Sequence, residues 1–320
     1  MKVNIREDIE KITKLGLLEK LLEDRTTGGH ILWATDAYSD LGQDFSAKSE
    51  ILPSQISGRN AGLIMARAWK DADAQAERTR SHAEVFTPSW VCNQMNNYCD
   101  EEWFDRPDVF NHQEGTSWTT TENPILFPEG RTWTEYIDSK RLEITCGEAP
   151  YIVSRYDAAT GEEIPVKDRI GILDRKLRVV SENTTTSRLW YKYALRALQS
   201  IYGYEFQGDN LFIGRVNVVL TMIEHFEQKF GISLTDLRLQ EIAEVVSWNL
   251  WQMDGLTDCI PFDDPPDERP GLEYDTSGFA EFWGDALLGE VKAQTRQSII
   301  RDWAEDLEYT FHSIKGAARI

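Results

Sequence analysis

The order of elements after residue 140 constrains the fold more than any other feature of this chain. Leu142-Glu143-Ile144-Thr145 reads as a short strand that runs into Cys146-Gly147. Arg188 to Gln199 reads as a helix, and Ile201-Tyr202-Gly203-Tyr204 as a second strand ending at Glu205. A very apolar helix follows through Phe212, Val216, Val219, Ile223 and Phe226, with Asp209 as its cap and Gly231 beyond its end. Alternating strands and helices argue for an α/β fold with a mostly parallel sheet. Within such a sheet, a glycine turn after one strand and an acid ending the next form the elements of a nucleotide site. The glycine lets backbone approach the ligand, and the acid grips ribose hydroxyls. Gly147 and Glu205 hold those places, although 58 residues separate them, so an insertion has to fill the interval. The whole reading requires the two residues to lie side by side at the carboxyl edge of adjoining parallel strands.

The remaining elements are read from periodicity. Residues 5–24 carry Ile5, Ile9, Ile12, Leu15, Leu18 and Leu22 at helical spacing, with Gly16 as a weak point. Residues 31–38 read as extended or turn-like, and Asn60 to Ala76 as a second helix, followed by Arg78 and Arg80. Thr87-Pro88 predicts a helix start, threonine capping and proline filling the first position. Residues 105–135, rich in Pro, Gly, Thr and Asn, predict a long loop. Leu239, Ile242, Val246, Leu250 and Met253 predict a helix over 236–253, and a last helix is expected from about Val291 to His312.

Charge is distributed unevenly. The 320 residues carry a formal net charge of −20, awkward for a protein that handles nucleic acid. Yet residues 167–196 hold Lys167, Arg169, Arg175, Lys176, Arg178, Arg188, Lys192 and Arg196 against three acids. This basic island is either a DNA-backbone contact or ordinary solvated surface. From Asp254 to Glu290 only Arg269 opposes eleven carboxylates. The charged N-terminus lacks the apolar core of a secretory signal, and no run of 18 apolar residues predicts a membrane span. Cys92, Cys99, Cys146 and Cys259 lack metal-ligand spacing and read as reduced thiols, so a cytoplasmic protein without a metal is expected.

Several ordered segments resemble the N6-adenine DNA methyltransferases of restriction–modification systems. AEVFTPSWVCNQM (83–95) is similar to their FTP opening, and LEITCGEAPYIV (142–153) to their cofactor loop, D-P-x-C-G-S-G-x-F-L. IYGYEFQGDNLFIGRVNVVL (201–220) resembles their ribose-binding strand with the later A-R-x-N-L. WNLWQMDGL (248–256) resembles the segment that contacts the cofactor's adenine, and FDDPPD (262–267) the catalytic N/D-P-P-Y/F.

The resemblance implies a Rossmann-like S-adenosylmethionine-dependent methyltransferase domain over 81–320, with residues 1–80 as a helical N-terminal extension. It implies that Phe86, Thr87 and Pro88 present a helix start to the methionine carboxylate, an anion suited to unpaired N–H groups. Thr145, Cys146 and Gly147 would wrap the methionine part, Glu205 the ribose, and Asp254 the exocyclic amine. By spacing alone, Asp254 reads equally as a helix-end acid. Asp264, Pro265 and Pro266 would hold the target amine of a flipped adenine; the alternative is a proline-rich acidic loop. Two departures stand out. Glu148-Ala149-Pro150 replaces Ser-Gly-x, and Asp267 replaces the stacking aromatic. DNA, reached through the basic island, and a separate specificity or nuclease subunit are the implied partners. The same fold acting as a catalytically silent scaffold or regulator in an anti-phage or anti-restriction assembly is the alternative.

Overall fold

The computed structural model describes residues 2–69, 87–263 and 296–317. These form a mixed α/β structure around a three-stranded parallel sheet of order β3-β4-β5, where β3 is Arg141–Glu143, β4 is Ile201–Glu205 and β5 is Leu250–Gln252. Leu142 pairs with Tyr202 and Tyr204 with Trp251, so Glu143, Glu205 and Gln252 end the three strands at one edge. Antiparallel hairpins flank the sheet in sequence: β1 (Asn111–Glu114) with β2 (Ser117–Thr120), and β6 (Ile299–Asp302) with β7 (Leu307–Thr310).

Helices supply the crossovers. Between β3 and β4 run α6 (Ile172–Asn183) and α7 (Ser187–Gln199); between β4 and β5 run α8 (Gly208–Phe230) and α9 (Asp236–Asn249). The side chains of α8 are buried on nearly every face, as an apolar helix in the centre of a core requires. It ends at Gly231, whose φ of +65° closes the helix in the left-handed region. Asp209 is not its cap, contrary to expectation. Gln207 takes that place, while the Asp209 carboxylate accepts from the Tyr38 hydroxyl at 2.8 Å.

The two faces of β4 serve different ends. Tyr202 and Tyr204 pack with Trp251, Met253 and Ile300 under the C-terminal hairpin. Gly203 faces the other way, where a Cβ would lie 3.2 Å from Cys146 Sγ and Ile152 Cδ1. Glycine thus lets the loop after β3 press against β4.

The N-terminal residues share one hydrophobic core with the rest of the chain. α1 (Ile5–Lys14) buries Ile5, Ile9 and Ile12; Gly16, at φ +68°, breaks the expected 5–24 helix before α2 (Leu18–Leu22). The extended residues 31–33 cross the carboxyl ends of the strands. Leu32 N–H donates to Gln252 Oε1 at 2.7 Å, and Gln252 Nε2 donates back to Leu32 O at 2.9 Å. Gly208 N–H donates to Trp33 O, and a Cβ at Gly208 would stand 1.9 Å from Leu32 O.

Several helical expectations fail. Of the expected Asn60–Ala76 helix, the described part, 60–69, forms turns and short 3₁₀ pieces after α3 (Pro53–Ile56), while residues 70–76, Arg78 and Arg80 lie outside the described residues. The 105–135 loop contains the β1–β2 hairpin, turning at Gly115 with φ +59°, and leads into α5 (Trp133–Asp138). The 236–253 pattern is a helix only to Asn249, because Leu250–Gln252 gain sheet partners that outweigh local periodicity. Of the expected 291–312 helix, the described part is the β6–β7 hairpin, entering α10 (Phe311–Ala317) at its end. Ile299-Ile300 favours a strand, and Asp306 at φ +55° supplies the turn.

The basic island is not a surface patch. Arg175 and Lys176 are 2% and 0% exposed. Arg175 pairs with Asp100 at 2.5 Å and donates to Asn93, Asn97 and Ile170 O. Lys176 donates to Ile137 O, Ser139 O and Ser200 Oγ. Arg169 pairs with Glu224, Arg178 with Glu182, and Arg196 with Asp138. Lys167, Arg188 and Lys192 remain exposed. Helical spacing in α6 turns Arg175 and Lys176 inward, which a linear charge count does not register. Among the described residues no helix is long and apolar enough to cross a membrane, and all four cysteines are free thiols.

Removing one partner of a buried ion pair strands the other charge. Arg175→Ala is therefore expected to lower unfolding free energy by about 3–5 kcal/mol, whereas Lys192→Ala should change it by less than about 0.5 kcal/mol. Urea denaturation of both variants checks this.

Candidate functional site

The site is built where β3 and β4 end. The chain leaves β3 through a tight turn: Cys146 N–H donates to Tyr204 O at 2.8 Å and Ala149 N–H to Cys146 O at 2.7 Å. Three residues of this turn lie in the left-handed region, Thr145 at φ +45°, Gly147 at +54° and Ala149 at +64°. Gly147 adopts that conformation freely; Thr145 and Ala149 each pay about 1–2 kcal/mol for it. Strain concentrated in one short loop is a mark of sites whose backbone shape is used.

Two carboxylates hold the loop. Glu205 Oε2 accepts from Gly147 N–H at 2.8 Å, and Oε1 from Gln207 N–H at 3.0 Å. Glu143 accepts from Ile152 N–H at 3.1 Å and Tyr151 N–H at 3.4 Å. Burial pushes the Glu143 carboxyl up to about 8, against the two N–H donors that favour its charge and with Glu205 adding repulsion. Gly147 and Glu205 are thus adjacent on parallel neighbours, as the sequence reading requires.

Helix α8 backs the loop. A Cβ on Gly214 would come within 3.1 Å of Gly147 O. Asn217 Nδ2 donates to Glu148 O and to the Tyr156 hydroxyl, each at 3.1 Å, and Tyr156 in turn donates to Glu148 Oε2 at 2.6 Å. Arg215 is buried among backbone carbonyls, donating to Leu250 O, Leu21 O, Glu23 O and Ser247 O. The Gly-Arg-Val-Asn stretch of 214–217 therefore positions the loop, the end of α9 and the N-terminal segment together.

The FTP region lies alongside. Phe86 falls outside the described residues; Thr87 and Pro88 precede α4 (Ser89–Phe104). Asn96 on α4 donates to Tyr151 O and Ile170 O at 3.0 Å, tying the helix to the loop. Thr87 is not the cap. Ser89 N–H donates to Asp157 Oδ2 at 2.7 Å, so a carboxylate from a later segment occupies the helix start. Asp157 Oδ1 also accepts from Ala159 N–H and Thr160 N–H at 3.0 and 2.8 Å. Burial raises the Asp157 carboxyl, but these donors outweigh it and hold the group below its usual value. The Cys92 thiol is pushed far up, first by burial and then by the charges of Glu143 and Asp157.

Asp254 lies just past the end of β5, where its Oδ1 accepts from Leu256 N–H at 2.8 Å. It belongs to a turn at the carboxyl edge of the sheet, not to a helix end, since α9 stops at Asn249. Asp264, Pro265 and Pro266 lie outside the described residues. A separate cleft of about 350 Å³ is lined by Gly16, Glu19, His30, Glu50 and their neighbours, and shares no residue with the Gly147–Glu205 pair. Among the described residues no His, Cys, Asp or Glu group is arranged to hold a metal ion. Glu143, Asp157 and Gln252 were missed by sequence reading. Glu143 alone had a signal, since it stands at the acidic first position of the cofactor-loop pattern.

No protein-family model, curated protein or solved structure matches this chain.

A carboxyl raised by folding stays protonated in the native state while the unfolded chain releases its proton. Stability linked to Glu143 is therefore present below about pH 4.5 and is lost as pH climbs through about 8. The loss is at most about 1.4 kcal/mol per pH unit. Glu143→Gln should remove this slope between pH 5 and 8 in thermal or urea unfolding; an unchanged slope would assign the titration elsewhere.

Proposed function

We propose that this chain binds S-adenosylmethionine and acts as an N6-adenine DNA methyltransferase-like protein, its parallel strands being part of a Rossmann-like methyltransferase fold. The observation that carries the reading is the Glu205 carboxylate set on Gly147 N–H across adjoining parallel strands. An acid at a strand end beside a glycine turn is what a ribose and its neighbouring backbone need.

The residues present suit the nucleoside half of the cofactor. Glu205 would take the ribose hydroxyls, Asp254 the exocyclic amine, and the strained Thr145-Cys146-Gly147 turn the part beyond the ribose. When bound, the cofactor supplies an electrophilic methyl group. Asp264 with the Pro265-Pro266 backbone would hold the target amine in line with it, so the chain contributes mainly orientation. The fit is poorer at the amino-acid end, because Asp157 fills the helix start that an external carboxylate would use. With DNA as substrate, Lys167, Arg188 and Lys192 are the island residues left for phosphates, and a separate specificity or nuclease subunit would supply the rest.

That same Asp157 contact favours a second reading, a silent scaffold or regulator of this fold. Ala149 points the same way, since alanine stands at φ +64° in the position where the resembling family has glycine.

Calorimetric titration with S-adenosylmethionine tests the proposal. The wild type is expected to bind saturably, and Glu205→Gln to bind about tenfold or more weakly through loss of a charged acceptor. Absence of both heat and thermal shift removes the cofactor reading. Tritium transfer to unmethylated DNA then separates the two roles: label that vanishes in Asp264→Ala marks an enzyme, and binding without label marks the scaffold.

A further inference from the structure

We infer that the site selects its ligand by the neutral nucleoside and repels any anion that the ligand does not itself neutralise. A 5′-thioadenosine is then held as firmly as the same nucleoside bearing an amino acid, and a 5′-phosphate is rejected. This rests on the adenosyl-binding reading and deepens it.

The charges around the glycine turn are one-sided. Glu205 holds the loop from a strand end, Glu148 lies within it, and Asp157 sits at the start of the helix packed beside it, while Glu143 adds its charge only as pH rises through about 8. The nearby guanidinium groups are already engaged. Arg155, which donates to Asn217 Oδ1 behind the loop, is shared between Asp8 at 2.8 Å and Glu224 at 2.9 Å. Arg169 pairs with the same Glu224, Arg175 with Asp100, and Arg215 is spent on four carbonyls. One of the donors a phosphate or carboxylate normally finds at a helix start, Ser89 N–H, is directed at Asp157 here. An incoming anion would meet several like charges in a partly buried setting, where water and salt screen little.

Asp157→Asn isolates the contact. The asparagine keeps an acceptor oxygen for the 157–160 turn but removes the anion facing Ser89 N–H.

Titration of the full chain with adenosine, adenosine 5′-monophosphate, 5′-methylthioadenosine and S-adenosylhomocysteine is the test. In the wild type, methylthioadenosine and S-adenosylhomocysteine are expected to agree within about threefold, and the monophosphate to bind at least about tenfold more weakly than adenosine. Asp157→Asn, its fold checked by circular dichroism, should tighten S-adenosylhomocysteine about tenfold and leave methylthioadenosine unchanged. A wild-type preference of about tenfold or more for S-adenosylhomocysteine over methylthioadenosine overturns the inference while the cofactor reading stands. Equal binding of adenosine and its monophosphate overturns it as well. If none of the four binds, the adenosyl reading itself falls, and this inference with it.

Discussion

The described structure depends on a pair of strand-end carboxylates that hold one loop by its backbone. Glu205 takes Gly147 N–H and Glu143 takes Ile152 N–H, so both ends of a strained turn are secured to the sheet. The Glu205 contact, when that carboxyl is ionised, is a charge-assisted hydrogen bond worth roughly 1.5–3 kcal/mol, and the Glu143 contact, neutral below about pH 8, is worth roughly 0.5–1.5 kcal/mol. Together they offset the left-handed conformations of Thr145 and Ala149. The loop in turn fixes α8 through Gly214 and Asn217.

A second constraint comes from the N-terminal residues. Gln252 ends β5 and clamps the Leu32 backbone in both directions, while Gly208 removes the side chain that would block that segment. The extension therefore crosses the strand ends and shares their core. Arg215 reinforces this by joining Leu21 O and Glu23 O to Leu250 O. Burial lowers this guanidinium to about 10, yet four carbonyl acceptors give its donors the partners that water would have supplied.

The chemistry of the edge is acidic, and this bears on both functional readings. A protein that handles DNA usually presents cations, and this chain has turned two of its most clustered cations into core supports. Arg175 organises Asn93, Asn97 and Asp100 on one helix, and Lys176 gathers three oxygens between α5 and β4. Those charges serve packing. Within the 167–196 island, only Lys167, Arg188 and Lys192 are left exposed to meet a polyanion.

The parallel strands, the central apolar helix and the Gly147–Glu205 pairing were legible because period, turn residues and strand-end acids are local patterns. The α6 and α7 crossover also lies where the interval between those two residues required an insertion. What the linear pattern misassigned were segments whose state is set by partners distant in sequence. Leu250–Gln252 leave a helical rhythm because β4 offers hydrogen bonds, and 299–310 pairs as a hairpin that covers Tyr202 and Tyr204. The same holds for charge. Sequence alone counted the basic residues of 167–196 and the acids elsewhere, but only the folded packing decided which were buried, which were paired, and that Asp157 would cap α4. Periodicity reports what a segment can form by itself; burial and ion pairing depend on which distant groups the fold brings within a few ångströms.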